Sequence, residues 1–352
     1  MKAKIAFMYK PKDLRIEEVE MPALKPGQVL IKIGACGICG SDVECFEGKS
    51  AEGRYDLGPY TPGHEWCGEI IETGVDIKSF KVGDKVASDC VMHCGVCENC
   101  RNGLMPSACL NFREVGFRPD SPGGMGEYMI IEENYLIKIP TDWSFEEGAW
   151  VETFSIPYFG IWGNGGHVDA SDDVVILGAG PIGICAAMIA KTSGAKTIVV
   201  EPVKYRRDNI LKYGADAVID PLSCNLAEEI KKHTGEKGPD VVVEASGNDR
   251  SIASIFDIAG HSARVRLIGH SIGRKIPIEI GKTIWRTLNI TGSGGTKDIG
   301  IKTVKFMDRI KDKYDFSALI THRFPFEKIH EAFAVAANKE TNCLKTMLNF
   351  EK

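Results

Sequence analysis

No run in this sequence is apolar for long enough to span a bilayer. The opening stretch from Met1 to Phe7 is interrupted by Lys2 and Lys4 and is too broken for a secretory leader. Charge of one sign is not in surplus either. Against 43 Lys and Arg stand 48 Asp and Glu, and a net charge of −5 gives no electrostatic reason to expect nucleic acid or an anionic membrane as partner. Internal repeats and low-complexity segments are also missing. These absences make the cytoplasm the expected compartment. What remains is ordinary: 352 residues, 43% hydrophobic and 26% charged, enough for two globular domains with a core each.

Cysteine is the residue in supply. Twelve in a chain expected to be intracellular are not read as a disulfide framework. Cys67, Cys185, Cys224 and Cys343 read as small residues in or near a core. Five others, Cys90, Cys94, Cys97, Cys100 and Cys109, crowd together. Cys94-x-x-Cys97-x-x-Cys100 with Cys109 offers four thiolates, which satisfy a closed tetrahedral zinc of the structural kind, with Cys90 as a competitor for the last place.

The stretch Ala35-Cys36-Gly37-Ile38-Cys39-Gly40-Ser41-Asp42 is answered downstream by Gly63-His64-Glu65. One thiolate, one imidazole and several carboxylates are donors that zinc takes, and a catalytic site keeps one position open. Cys36 and Cys39 also form a C-x-x-C, so a zinc ribbon or a redox pair is a rival reading. The surrounding residues are β-rich. Val29–Ile33, Gly68–Gly74 and Lys85–Ala87 are strand-like pieces broken by glycine and proline, and no helical period is sustained, which predicts a compact β-barrel-like domain.

Further on, the apolar strand Asp173–Leu177 runs into Gly178-Ala179-Gly180-Pro181-Ile182-Gly183 and a helix of small residues. That context turns a weak glycine pattern into a dinucleotide fingerprint, with the glycines letting the backbone approach a pyrophosphate at the helix N-terminus. The next strand, Thr197–Val200, ends at Glu201, where an acidic residue accepts the ribose hydroxyls. Helices over Val203–Tyr213 and Asn225–Thr234 then alternate with strands at Ala217–Ile219, Asp240–Ala245, Arg264–Gly269 and Leu288–Gly292, predicting an open parallel sheet. Arg206, Ser246 and Ile268 join Gly178, Gly180, Pro181, Ile182, Gly183 and Glu201 as expected cofactor-binding residues. The tail offers helices at Ile301–Lys313 and Phe326–Lys339 and a last strand at Thr346–Asn349.

Cys39-Gly40-Ser41-Asp42 with Gly63-His64-Glu65 resembles the zinc-containing medium-chain alcohol dehydrogenases, particularly their polyol (sorbitol- and cyclitol-type) branch, over essentially the whole chain. The resemblance implies an α/β protein. A GroES-like β-rich catalytic domain would span 1–150 and 296–352, and a Rossmann nucleotide-binding domain 151–295. It implies two Zn2+ per chain, one catalytic and one structural, with NAD as cofactor and a homodimer or homotetramer. The expected reaction interconverts a secondary alcohol of a polyol, sugar or cyclitol with its ketone by hydride transfer to NAD. L-Threonine 3-dehydrogenase-like activity and a non-catalytic zinc- and nucleotide-binding redox sensor are the alternatives.

Cys39 and His64 are the expected ligands of the catalytic zinc, with Glu152 third and Glu65 competing for that place. In relatives a glutamate matching Glu152 meets the metal directly or through bound water and is usually followed by proline, where this chain has Thr153. Ser41, Glu44 and Glu152 are the candidate catalytic groups. Ser41 is placed to receive the alcohol proton, and many relatives pass it on to a histidine where this chain has Glu44.

Overall fold

The strand Gln28–Ile38 is almost wholly apolar and is buried at all but Gln28 and Lys32, so it must be covered on both edges and both faces. The computed structural model shows how. It describes residues 1–49, 55–163, 166–269, 274–294 and 299–350, and the chain divides into two units. The first comprises Met1–Ser155 and Gly295–Lys352, the second Ile156–Gly294.

In the first unit Gln28–Ile38 sits at the centre of a seven-stranded sheet. Glu65–Thr73 pairs with it antiparallel on one side, and Lys345–Asn349 and Tyr128–Glu132 pair with it antiparallel as well. Ile320–Pro325 extends the sheet beyond Lys345–Asn349, while Lys85–Ser88 and Leu136–Lys138 extend it on the other edge. A hairpin of Lys2–Lys10 and Asp13–Glu20, which the sequence reading left unassigned, forms its own two-stranded sheet. One core fills the unit, from Met8, Ile31, Trp66 and Met129 to Phe333 and Leu348.

Register carries this directly to the site. Gly37 lies opposite Glu65 on one neighbour and opposite Met347 on the other. Residues near the ends of three strands, far apart in sequence, are thus brought to one place. Just beyond it the chain turns at Cys39 into the short helix Gly40–Phe46.

The second unit is a six-stranded parallel sheet. Its spatial order is Ala217–Ile219, Lys196–Val200, Asp173–Leu177, Val241–Glu244, Arg264–Leu267 and Asn289–Gly292. Every pairing is parallel. The order reverses between Asp173–Leu177 and Val241–Glu244, which makes that crevice the topological switch point where such sheets bind their ligands. The expected elements appear with shifted ends, as at Lys204–Ile210, where a short 3-10 turn, Leu211–Tyr213, leads to Gly214 at φ +105°.

The expected first boundary at residues 150 and 151 lies within the helix Phe145–Trp162, and the division falls further along the same helix, after Ser155. The expected second boundary, at 295 and 296, lies outside the described residues. Among the described residues no helix is long and apolar enough to cross a membrane.

Candidate functional site

Among the described residues, two groups of side chains that could hold a metal ion form in the first unit: Cys39, His64 and Glu65, and separately Cys94, Cys97, Cys100 and Cys109. In each, the potential ligand atoms lie within 4.8 Å of one another.

The mixed group is built from chain ends. Cys39 precedes the Gly40–Phe46 helix, and its backbone N–H donates to Asp42 Oδ2 at 2.9 Å, which fixes the turn. His64 and Glu65 lead into the next strand. Both are buried, as are Asp42 and Glu152. Asp42 Oδ1 and His64 Nδ1 face each other at 3.8 Å, beyond hydrogen-bond distance, and neither has a hydrogen-bond partner. With Nδ1 turned to Asp42, Nε2 is the nitrogen left for a metal. A buried imidazole, a sulfur and a carboxylate converging with orphaned polar atoms behind them suit a zinc ion.

The electrostatics are those of crowded charge. Burial disfavours the charged His64 ring, but Asp42 and the Cys39 sulfur outweigh it and hold its pKa well above the usual value. Burial would likewise raise the Glu65 carboxyl. Lys345 and His64 overcome it and keep Glu65 below the ordinary range. For Glu152 burial prevails over His64 and Lys345 and, reinforced by Glu65, pushes it up to about 7. Asp42 is also raised, by burial first.

Glu65 has further partners that the sequence did not announce. Lys345 Nζ donates to both of its oxygens, at 2.7 and 2.5 Å, and Thr153 Oγ1 donates to one of them at 2.9 Å. Gly37 makes room for this, since a Cβ there would sit 2.4 Å from Glu65 Oε2. A lysine heading the last strand was the available signal. The sequence reading began that strand one residue late, at Thr346.

The C-x-x-C pair divides. Cys36 points into the sheet core, while Cys39 joins His64 and Glu65. Glu152 is buried but does not belong to the three-residue group. Ser41 is half-buried in the first turn of the Gly40–Phe46 helix, and Glu44 is exposed on the same helix.

The second group is local. Measured Sγ separations are 3.4 Å for Cys97 and Cys100, 3.5 Å for Cys94 and Cys109, and 3.9 Å for Cys97 and Cys109. A tetrahedron of sulfurs about 2.3 Å from zinc has edges of about 3.8 Å, so the four fit one ion. Backbone N–H groups of Cys94, Cys97 and Asn111 donate to these sulfurs at 3.3 Å. Such donors favour thiolate, and N–H groups with the Asn111 amide bring Cys94 down to about 5. Cys100, by contrast, is pushed up to about 12 by burial and its sulfur neighbours. Cys90 is outside the group, packed with Cys45 and Phe117.

In the second unit Gly178 has φ +104°, and a Cβ on Gly183 would lie 1.9 Å from the Gly178 carbonyl oxygen, so the loop closes tightly onto the helix Pro181–Thr192. Glu201 is buried and accepts from Ala179 N–H at 2.8 Å and Val203 N–H at 2.9 Å, tying the loop to the following strand. Arg207 is committed to the Glu201 carbonyl and to Asp220, each at 2.8 Å. Arg206 approaches Gly180, where a Cβ would lie 3.8 Å from its Nη1. Ser246 packs on Gly178 and donates to the buried Glu244, and Ile268 N–H donates to the Glu244 carbonyl at 2.9 Å.

Residues 25–141 match the alcohol dehydrogenase GroES-like domain, and residues 181–310 match the zinc-binding dehydrogenase family. An L-threonine 3-dehydrogenase of Rhizobium rhizogenes is 32% identical over 91% of each chain. A scyllo-inosose 3-dehydrogenase of Thermotoga maritima is 32% identical, covering 96% of this chain and 90% of its own. Among solved structures, an alcohol dehydrogenase from E. coli CFT073 complexed with NADH superposes with a TM-score of 0.89 at 26% identity, over 99% of both chains.

Proposed function

This chain belongs to the zinc-containing medium-chain alcohol dehydrogenase family, and from that premise we propose that it oxidises a secondary alcohol of a polyol, sugar or cyclitol to the ketone with NAD. It is a zinc-dependent alcohol oxidoreductase that uses a nicotinamide cofactor. The observation that carries the reading is the convergence of Cys39, His64 and Glu65 from distant segments, beside the separate four-sulfur group. These two groups support two zinc ions per chain. Zinc held at the mixed group supplies Lewis acidity that eases deprotonation of a substrate hydroxyl, and the nicotinamide supplies the hydride acceptor.

The chain's own residues do the rest. Asp42 orients the His64 ring, and Glu152 stands as a further carboxylate for metal or bound water. Ser41 takes the alcohol proton, and Glu44, three residues on along the same helical face, passes it to solvent. The glycine loop at Gly178–Gly183 receives the pyrophosphate and Glu201 the adenosine ribose.

Turnover of a panel of polyols, cyclitols and L-threonine, followed by NADH absorbance, tests the reading. A preference for L-threonine would favour the activity named for the Rhizobium relative over a polyol. No turnover with any alcohol would favour a redox sensor.

A 2′-phosphate on the cofactor would meet the Glu201 carboxylate. Two unit charges 4 Å apart at an effective dielectric of about 20 repel by about 4 kcal/mol before screening, and a third of that is about tenfold in affinity. NAD should therefore exceed NADP in kcat/KM by at least about tenfold with one good substrate. Equal values would mean that Arg206 prevails.

A second copy of the chain is the proposed partner of the sheet edge at Asn289–Gly292. That strand has an unpaired side in the sheet order, and Ile280, Ile284 and Trp285 are exposed nearby in sequence. Light scattering that gives a monomer mass would refute it.

A further inference from the structure

Lys345 is a buried lysine with only 4% of its surface exposed, placed 280 residues after the carboxylate it binds. Burying an ammonium is costly unless it is paired and hydrogen-bonded, so its presence beside the mixed metal group calls for a reason. Neither it nor Thr153 has a part in the proposed proton path. Both end on Glu65.

An ionised carboxylate offers about two acceptor positions on each oxygen. Glu65 Oε1 receives Thr153 at 2.9 Å and Lys345 at 2.7 Å, which fills it. Oε2 receives Lys345 at 2.5 Å and rests against the Gly37 backbone. A single position on Oε2 is thus left for a metal. Each hydrogen bond also draws electron density from the carboxylate and makes it a poorer donor. On its far side the Lys345 ammonium lies 5.5 Å from the centre of the Trp150 ring, which stops it swinging away.

We infer that Lys345 and Thr153 are positioning residues that hold the Glu65 carboxylate in place and weaken its bond to zinc, making it the most weakly bound of the three protein donors. This rests on zinc occupying the Cys39, His64 and Glu65 group. Strand register makes the arrangement possible, because Lys345–Asn349 and Glu65–Thr73 flank the same strand. It also balances charge. The Cys39 sulfur, Glu65, Asp42 and Glu152 gather around this point, and the ammonium offsets negative charge that a divalent ion alone would leave.

The test uses the full-length protein with cobalt(II) exchanged into the labile site, read by its d–d absorption and by metal release to a chromophoric chelator. Lys345→Met keeps the length of the side chain and removes the charge. Glu65 should then bind the metal more closely, altering the cobalt spectrum and slowing release by about tenfold, comparable in size and opposite in sign to the loss usual when a group behind a metal ligand is removed. Lys345→Arg should release metal as the parent does. Thr153→Val removes one hydrogen bond and should slow release a few-fold, and it decides the matter if Lys345→Met does not fold. Release from Lys345→Met or Thr153→Val that is as fast as from the parent, or faster, overturns the inference alone. A parent that takes up no labile cobalt sinks the reading of the site together with it.

Discussion

The two cysteine-bearing groups of the first unit share an element and little else. Cys94, Cys97, Cys100 and Cys109 come from one short loop, present four like donors and are held by backbone N–H groups of that loop. Cys39 and the adjacent pair His64 and Glu65 come from two separate segments and present three unlike donors. Their neighbours are Asp42, in the helix that follows Cys39, and side chains from much further along the chain: Glu152, Thr153 and Lys345. A closed set of thiolates needs no tuning, because its task is to stay. A set that binds substrate needs each donor's orientation and strength adjusted, and side chains brought in from other segments can do that. On the proposed function, the contrast separates a site that holds the fold from a site that acts.

The largest expected effects test that separation. A mild chelator should remove metal from the mixed group and abolish turnover while circular dichroism stays unchanged. Cys39→Ser should do the same, with loss of activity and little change in melting temperature. Cys97→Ser should instead lower the melting temperature or the yield, since structural zinc contributes on the order of 10 kcal/mol in small peptides. Metal analysis of the purified protein should give two zinc per chain, and one in Cys39→Ser. A single zinc per chain that Cys97→Ser leaves in place would collapse the comparison.

Asp42→Asn sharpens it on the mixed side alone. The four-sulfur group has no imidazole to orient, whereas His64 has a carboxylate facing its far nitrogen. Zinc affinity or turnover should fall by roughly 10- to 100-fold, the usual consequence of removing a carboxylate behind a metal-bound histidine. Zinc titration against a competing chelator measures it. An unchanged affinity and rate would leave Asp42 with no more than its bond to the Cys39 backbone.

What the sequence made legible follows the same division. The loop cysteines could be read from spacing alone, because four ligands on one short segment can reach one point without help from the fold. The nucleotide-binding unit was equally open: Asp173–Leu177 has the bounds expected, since buried parallel strands announce themselves as unbroken apolar runs, and so does the partly buried edge strand Ala217–Ile219. The family motifs pointed to Cys39 and His64 with Glu152 third and Glu65 as its competitor, whereas it is Glu65 that groups with them. Spacing could not disclose Lys345 or the role of Thr153, because their meeting with Glu65 depends on the register of strands from the two ends of the chain. A lysine is by habit a surface residue, and only the fold makes this one a neighbour of the metal group. The N-terminal hairpin escaped for a different reason, as lysines at both ends of Lys2–Lys10 blurred its strand pattern.

The smallest expected effect concerns where the mixed site ends. Ser41 and Glu44 occupy the same face of the Gly40–Phe46 helix, one half-buried and the other exposed. If the proton leaves through them, Glu44→Gln should slow alcohol oxidation and slow it most at low pH, where release to solvent is hardest. The loss should be a few-fold, far below the roughly 10²–10⁴ that a group transferring the proton in the transition state contributes, since water can stand in for an exposed carboxylate. Ketone reduction, which draws a proton inward, should lose less as pH falls. Steady-state rates of parent and variant across the pH range, in both directions, separate the cases. Profiles that overlay would end the relay at Ser41 and bulk water, and the acting site would then stop at the first turn of the helix.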